Sequence, residues 1–231
     1  MAELLTRGAV WGVLLTGGAY ALGIFLQKKT GKAWCNPLLL GSLFVILFLR
    51  LCRISYSDYQ ASAGPVNYLL LPATVSLAVP LYEQWESLRK NTAAILSGIA
   101  AGVLASTGSI LLLAWIFQMD PATAVSLLPK SVTTAIGADI SRELGGIPAL
   151  TTAAIILTGI FGNLSAQGIC RLFRISDPVA KGVGIGSAAH AIGTARALEI
   201  GPVEGAMSSL SIAAAGILTA LLCPFAARLL P

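Results

Sequence analysis

A chain of 231 residues that is 56% hydrophobic and only 11% charged cannot clothe a globule in water, where soluble domains carry about 25% charged residues. Its net charge of +5 sits in short clusters at the ends of apolar runs, the pattern of topology-setting flanks and not of a nucleic-acid surface. Composition excludes a soluble domain and predicts an all-α polytopic membrane protein, built from uncharged runs near the roughly 20 residues that cross a bilayer.

The first apolar run, 8–27, is predicted as a span. It is not read as a cleavable signal peptide, because Lys28, Lys29 and Lys32 follow it where a small-residue cleavage site is required. The second, 33–49, opens on Asn36-Pro37, a capping residue followed by a proline at the first helical position. Lysines flank this run on one side and Arg50 and Arg53 on the other, so the positive-inside count conflicts with itself. The triple-lysine loop is read as cytoplasmic, and the orientation stays open.

The stretch 59–82 is apolar but punctuated by Gly64-Pro65, Pro72 and Pro80. Each proline removes a donor and clashes with the preceding turn, so a clean helix is not expected there. Plain uncharged runs follow at 91–119, 144–170 and 205–227. Between them, 121–143 and 177–200 are apolar enough to be embedded yet carry charges and turn residues. Irregular backbone at membrane depth survives only where protein covers it or water fills a cavity. About 6 to 8 membrane elements result, broken or re-entrant helices among them.

An internal repeat joins these segments. Leu70-Leu71-Pro72-Ala73-Thr74-Val75 resembles Leu127-Leu128-Pro129-Lys130-Ser131-Val132, 57 residues on, and Thr133-Thr134-Ala135-Ile136-Gly137 resembles Ala189-His190-Ala191-Ile192-Gly193, 56 residues on. Glu143 and Glu199, then Gly145 and Gly201, continue the second pairing. The expected organisation is one transmembrane domain over 1–231: N-terminal helices at 5–53, then units of broken element plus span at 64–119, 121–174 and 178–230. Repeated interrupted segments in so apolar a chain suggest a carrier with its site at a repeat interface. Chance similarity among Leu-, Ala- and Gly-rich segments is the competing reading.

Two segments carry candidate chemistry. Lys130, Ser131, Thr133 and Thr134 place an ammonium and three hydroxyls beside a proline that frees backbone groups. An intramembrane lysine marks a functional site unless it snorkels to the headgroups. With restarting helix ends it would attract a small carboxylate. The second segment, 182–196, holds the chain's one histidine, His190, among glycines and alanines that allow close backbone approach at a gate or hairpin tip. His190 either hydrogen-bonds substrate or carries a proton, or it is a satisfied packing residue.

The remaining features read as structural. Arg196, Glu199 and Glu204, like Asp139, Arg142 and Glu143, read as solvated interfacial ion pairs. Gly98 and Gly102 form a GxxxG suited to helix packing. Cys35, Cys52, Cys170 and Cys223 are scattered, without metal-ligand spacing. No nucleophile, base and orienter set is recognisable, so the chain is expected not to be an enzyme, and no cofactor or metal is expected.

The segments 70–84, 128–151 and 190–201, followed by 204–210, together resemble the LrgB/CidB family, with similarity from Asn36-Pro37 to the last span. Members are described as antiholin-like or holin-like membrane proteins tied to murein hydrolase activity and autolysis. A plastid relative exchanges glycolate and glycerate, and bacterial relatives are linked to pyruvate uptake with a small LrgA/CidA partner. The resemblance therefore implies a multi-pass protein of a bacterial plasma membrane, carrying small monocarboxylates, with an LrgA/CidA-like partner and a possible homo-oligomer. Two departures stand out: Ala135 and Ala189 replace the family's usual proline and serine.

Two functions follow from different classes. One is a secondary carrier for pyruvate, glycolate or glycerate, with Lys130, Ser131, Thr133 and Thr134 binding the carboxylate, Thr74, Ser187, His190 and Thr194 contributing from the other broken elements, and coupling to protons or sodium. The other is a holin-like or antiholin-like oligomer that modulates membrane permeability and murein hydrolases. A pore needs a polar stripe along full spans, whereas polarity concentrates in the broken segments, which favours the carrier.

Overall fold

A computed structural model describes residues 10–30 and 36–230. Lys32 and Cys35 lie outside the described residues, as do the side chains of Asn67, Leu70, Leu71 and Thr74. Every regular element among the described residues is a helix, and the chain divides into two compact units, Met1–Ser76 and Leu77–Pro231. The protein is an all-α polytopic membrane protein.

In the first unit, α1 (Trp11–Thr30) and α2 (Pro37–Cys52) pack antiparallel. A Cβ at Gly23 would lie 2.9 Å from the Pro37 backbone, and one at Gly41 would lie 3.5 Å from Tyr20. As the Asn-Pro pair predicts, Asn36 Oδ1 caps α2 by accepting from Leu38 N at 2.9 Å and Leu39 N at 3.3 Å. The proline-punctuated stretch breaks into α3 (Tyr56–Ser62), α4 (Gly64–Tyr68) and α5 (Leu70–Ser76), the last carrying Thr74.

In the second unit, α6 (Ala78–Glu83) leads into α7 (Trp85–Phe117), which with α10 (Pro148–Leu172) and α12 (Pro202–Ala227) is long and apolar enough to cross a membrane. Inside such helices every backbone group is satisfied within the segment, which is why they are the viable spans. The buried faces of α7 and α12 meet around Ile95, Ile99, Val103, Ala206 and Met207, while Leu104, Leu112, Phe161, Ile217 and Leu221 face outward, apolar toward lipid.

Between the spans lie two helical hairpins. The first joins α8 (Pro121–Leu127) to α9 (Thr134–Glu143). Its arms run antiparallel: a Cβ at Gly137 would sit 3.1 Å from Pro129 O, and one at Gly146 would sit 3.0 Å from Ser126 Oγ, which also accepts from Ile147 N at 2.7 Å.

The second hairpin is hidden within α11 (Pro178–Ile200), whose backbone breaks at His190 with φ 43° and ψ −141°. Before the break, Gly182 and Gly186 lie on Glu204 and Ser208; after it, Thr194 and Leu198 lie on Ser208 and Gly205. The two arms therefore traverse the same stretch of α12 in opposite directions. A Cβ at Gly193 would be 3.1 Å from Ile185 Cγ2, a contact closed to residues eight apart in a straight helix, which are about 12 Å apart. Each arm, about 17 Å long, reaches roughly halfway across a hydrocarbon core of about 30 Å.

Candidate functional site

At the tip of the first hairpin, Pro129 cannot continue α8, and the chain turns through Lys130 N to Leu127 O at 3.2 Å and Val132 N to Pro129 O at 3.4 Å. Thr133 is extended (φ −69°, ψ 153°) and starts α9. The tip is held down by Leu128, Pro129 and Val132, all buried. Lys130, half-buried, donates from Nζ to Ser106 Oγ at 3.1 Å and to Ser131 Oγ at 3.2 Å, and those two hydroxyls are 3.0 Å apart. No carboxylate pairs with Lys130 among the described residues.

The second tip approaches the same place. Its turn is fixed by His190, 3% exposed, whose Nε2 is 2.9 Å from Ile155 O on α10, and by Asn163 Nδ2, which donates to Ile192 O at 2.8 Å. Gly162 permits this approach, since a Cβ there would overlap the Ala189 Cβ at 2.3 Å. Gly102 on α7 would carry its Cβ 3.0 Å from Ser187 Oγ.

Between the tips lies a cavity of about 560 Å³. Lys130 and Ser131 come to it from the first hairpin, Ser187 from the second, Ser106 and Ser109 from α7, and Thr158 from α10. Thr158 and Ser106 lie well inside α10 and α7, so the cavity opens along the length of the spans and not at their ends.

The predicted residues separate into groups. Lys130, Ser131 and Ser187 meet at the cavity, although Ser187 Oγ donates to Val183 O at 2.7 Å and so offers mainly lone pairs. Thr133 and Thr134 do not line it; Thr134 is exposed at the start of α9. His190 is the buried pivot behind the second tip. Thr194 is buried on the returning arm, donating to His190 O at 3.0 Å and bonded to Ser208 Oγ at 2.7 Å, and both partners belong to the packing of hairpin on span. Thr74 lies in the first unit, its side chain outside the described residues.

Sequence reasoning missed Ser106, Ser109 and Thr158, which sit on spans read as plain. The available signal was the GxxxG at Gly98 and Gly102: both glycines line the cavity and pack on Val183 and Ser187, so they mark the face of α7 that carries Ser106. Polarity is therefore not confined to the interrupted elements. The ion pairs Asp139 with Arg142 and Arg196 with Glu199 do lie at helix ends, and Arg196 also reaches Gln167 Oε1 at 2.8 Å. Glu204 departs from its reading as a solvated residue. It is 7% exposed, with Lys181 Nζ at 3.9 Å, because the arm of the second hairpin covers the first turn of α12.

Residues 16–229 match the model of the LrgB-like family. The chain is 33% identical over 226 residues, 97% of its length and 98% of the relative's, to the antiholin-like protein LrgB of Bacillus subtilis. It is 34% identical over 225 residues, 97% of both chains, to the proteins of that name in Bacillus mycoides and Bacillus cereus. No solved structure matches the chain significantly.

Proposed function

As this chain belongs to the LrgB-like family, we propose that it is a membrane carrier for small monocarboxylates of the pyruvate, glycolate and glycerate class. The observation that carries this reading is the Lys130 ammonium held on two serine hydroxyls in a cavity between two hairpin tips. A cation at the bilayer centre costs about 3 kcal/mol on insertion scales, and an anion that shares its site offsets that cost.

The donor count suits one carboxylate. Three ammonium hydrogens and two hydroxyl hydrogens are available. The two lysine contacts and the serine pair use three of them. One N–H and one O–H remain, a match for the two oxygens of a carboxylate. With a single cation at the cavity, a monoanion balances the charge and a dicarboxylate does not. Thr158 supplies a hydroxyl for a 2-oxo or 2-hydroxy group, and Ser109, whose Oγ donates to Ser106 O at 2.7 Å, supplies lone pairs for a 2-hydroxy group.

Alternating access would come from movement of the hairpins against the spans, with His190 as the pivot of one. We place the carrier in a bacterial plasma membrane, beside an LrgA/CidA-like partner, with proton or sodium coupling. The name of the relatives favours a second reading, an antiholin-like oligomer that modulates permeability and murein hydrolases. A polar cavity gathered between two tips, without a polar stripe along a whole span, favours the carrier.

Purified protein in liposomes tests it. Saturable uptake of labelled pyruvate or glycolate, accelerated by the same acid inside, is expected. Lys130→Ala is expected to abolish it at unchanged protein yield. Unsaturable leakage of a small dye, or full uptake by Lys130→Ala, would overturn the carrier and its site.

A further inference from the structure

A second cationic cavity, separate from Lys130, opens where α10 ends and α11 begins. It measures about 560 Å³, and Arg171, Arg174 and Lys181 line it together with Gln167 and Ser176. Its position is interfacial: the uncharged run 144–170 stops at Arg171, and Asp177 caps α11 just beyond, accepting from Ala180 N at 2.8 Å. The turn between the helices is closed by Ile175 N to Cys170 O at 2.8 Å and Arg174 N to Arg171 O at 3.2 Å, with Arg174 at φ 54°. Both arginines are thus carried on a fixed helix end.

The charge in this cavity is unbalanced. Lys181 shares its charge with Glu204 at 3.9 Å, but neither Arg171 nor Arg174 has an acidic partner among the described residues. Directly inward from it runs an apolar groove of about 160 Å³ between α10 and the first arm of α11. Cys170, Ile175 and Lys181 belong to both cavities, Ala180 lines the groove, and Ala166, Gly162, Gly184 and Ala188 continue it inward along the helices.

We infer that the cationic cavity and the groove together bind one anionic phospholipid, its headgroup phosphate on Arg171, Arg174 and Lys181 and an acyl chain in the groove. Charge complementarity identifies the head: basic pockets between transmembrane helices take anionic headgroups. The mostly apolar lining identifies the tail, since a soluble anion gains little from a groove whose polar side chains are Ser165 and the Lys181 that it shares with the cationic cavity. The site rests on the membrane setting of the chain and not on the carrier reading.

Full-length protein in detergent is offered phosphatidylglycerol, phosphatidylcholine and glycerol 3-phosphate, and bound species are read by native mass spectrometry. Phosphatidylglycerol is expected to be retained over phosphatidylcholine. Retention is expected to fall on the order of tenfold in Arg171→Gln/Arg174→Gln, whose side chains are exposed and unpaired. A comparable fall is expected in Ala180→Trp, which fills the groove and leaves all three cations. Equal retention of the two lipids by the unaltered protein overturns the site, with no substitution needed. So does glycerol 3-phosphate binding as tightly as the lipid, which would assign the cations to a soluble phosphate. Undiminished lipid in the double variant, with weakened pyruvate binding, overturns it in favour of an entry vestibule for substrate.

Discussion

The Lys130 ammonium at a hairpin tip lies 3.1 Å from Ser106 Oγ on an unbroken membrane span. That contact makes the candidate site a joint product of a broken element and an unbroken one. If Ser106 helps to hold the ammonium for substrate, Ser106→Ala should raise the KM for carboxylate about tenfold, the scale of one hydrogen bond to a charged group. Uptake kinetics in liposomes read this directly. A wild-type KM would confine the site to the hairpin.

The second hairpin makes a geometric prediction. With the native cysteines replaced, the pair Ile185→Cys and Gly193→Cys should form a disulfide within one chain on mild oxidation. The Gly193 Cβ position is 3.1 Å from Ile185 Cγ2, whereas a straight helix would hold the residues about 12 Å apart, beyond bridging. Failure to oxidise in intact membranes would mean an unbroken helix at His190.

His190 combines a backbone conformation foreign to side chains with a buried ring contact to Ile155 O at 2.9 Å. His190→Ala keeps the strained φ and loses the contact, while His190→Gly loses the contact and relieves the strain. The glycine variant should therefore be the more stable of the two, by about 1 to 3 kcal/mol. Thermal unfolding in detergent compares them, and equal stability would remove strain from the account of the tip.

Glycine has opposite meanings along these helices. A Cβ at Gly186 would stand 2.4 Å from Ser208 O and 2.7 Å from Ser208 Cα, backbone that cannot yield locally, so Gly186→Ala should cost about 1 to 3 kcal/mol. A Cβ at Gly168 meets nothing within 4 Å, so Gly168→Ala should be neutral or stabilising by up to about 1 kcal/mol. The same melting assay separates them; a shared sign would contradict the packing of the second hairpin on α12.

Much of the architecture was legible without coordinates, because bilayer physics writes it locally. Uncharged runs marked the three long spans, prolines marked the breaks at 59–82 and after Leu128, and Asn36-Pro37 marked a capped helix start. The small residues around His190 pointed to a hairpin tip, since only small side chains let two arms approach. Each of these signals lies within a few residues of the feature that it predicts.

What the sequence by itself determined, then, is which segments cross, which break, and that Lys130 needs a reason to be where it is. Tertiary structure alone decided which hydroxyls answer it. Thr133 and Thr134 are near it in the chain but do not line the cavity, while Ser106 comes from 24 residues away. It also decided that Thr194 bonds Ser208 and that Glu204 is buried under an arm of α11. The physical reason is that the outside of such a helix faces lipid as apolar as its interior contacts. Little in a span's own pattern says which face is inward until another element packs on it.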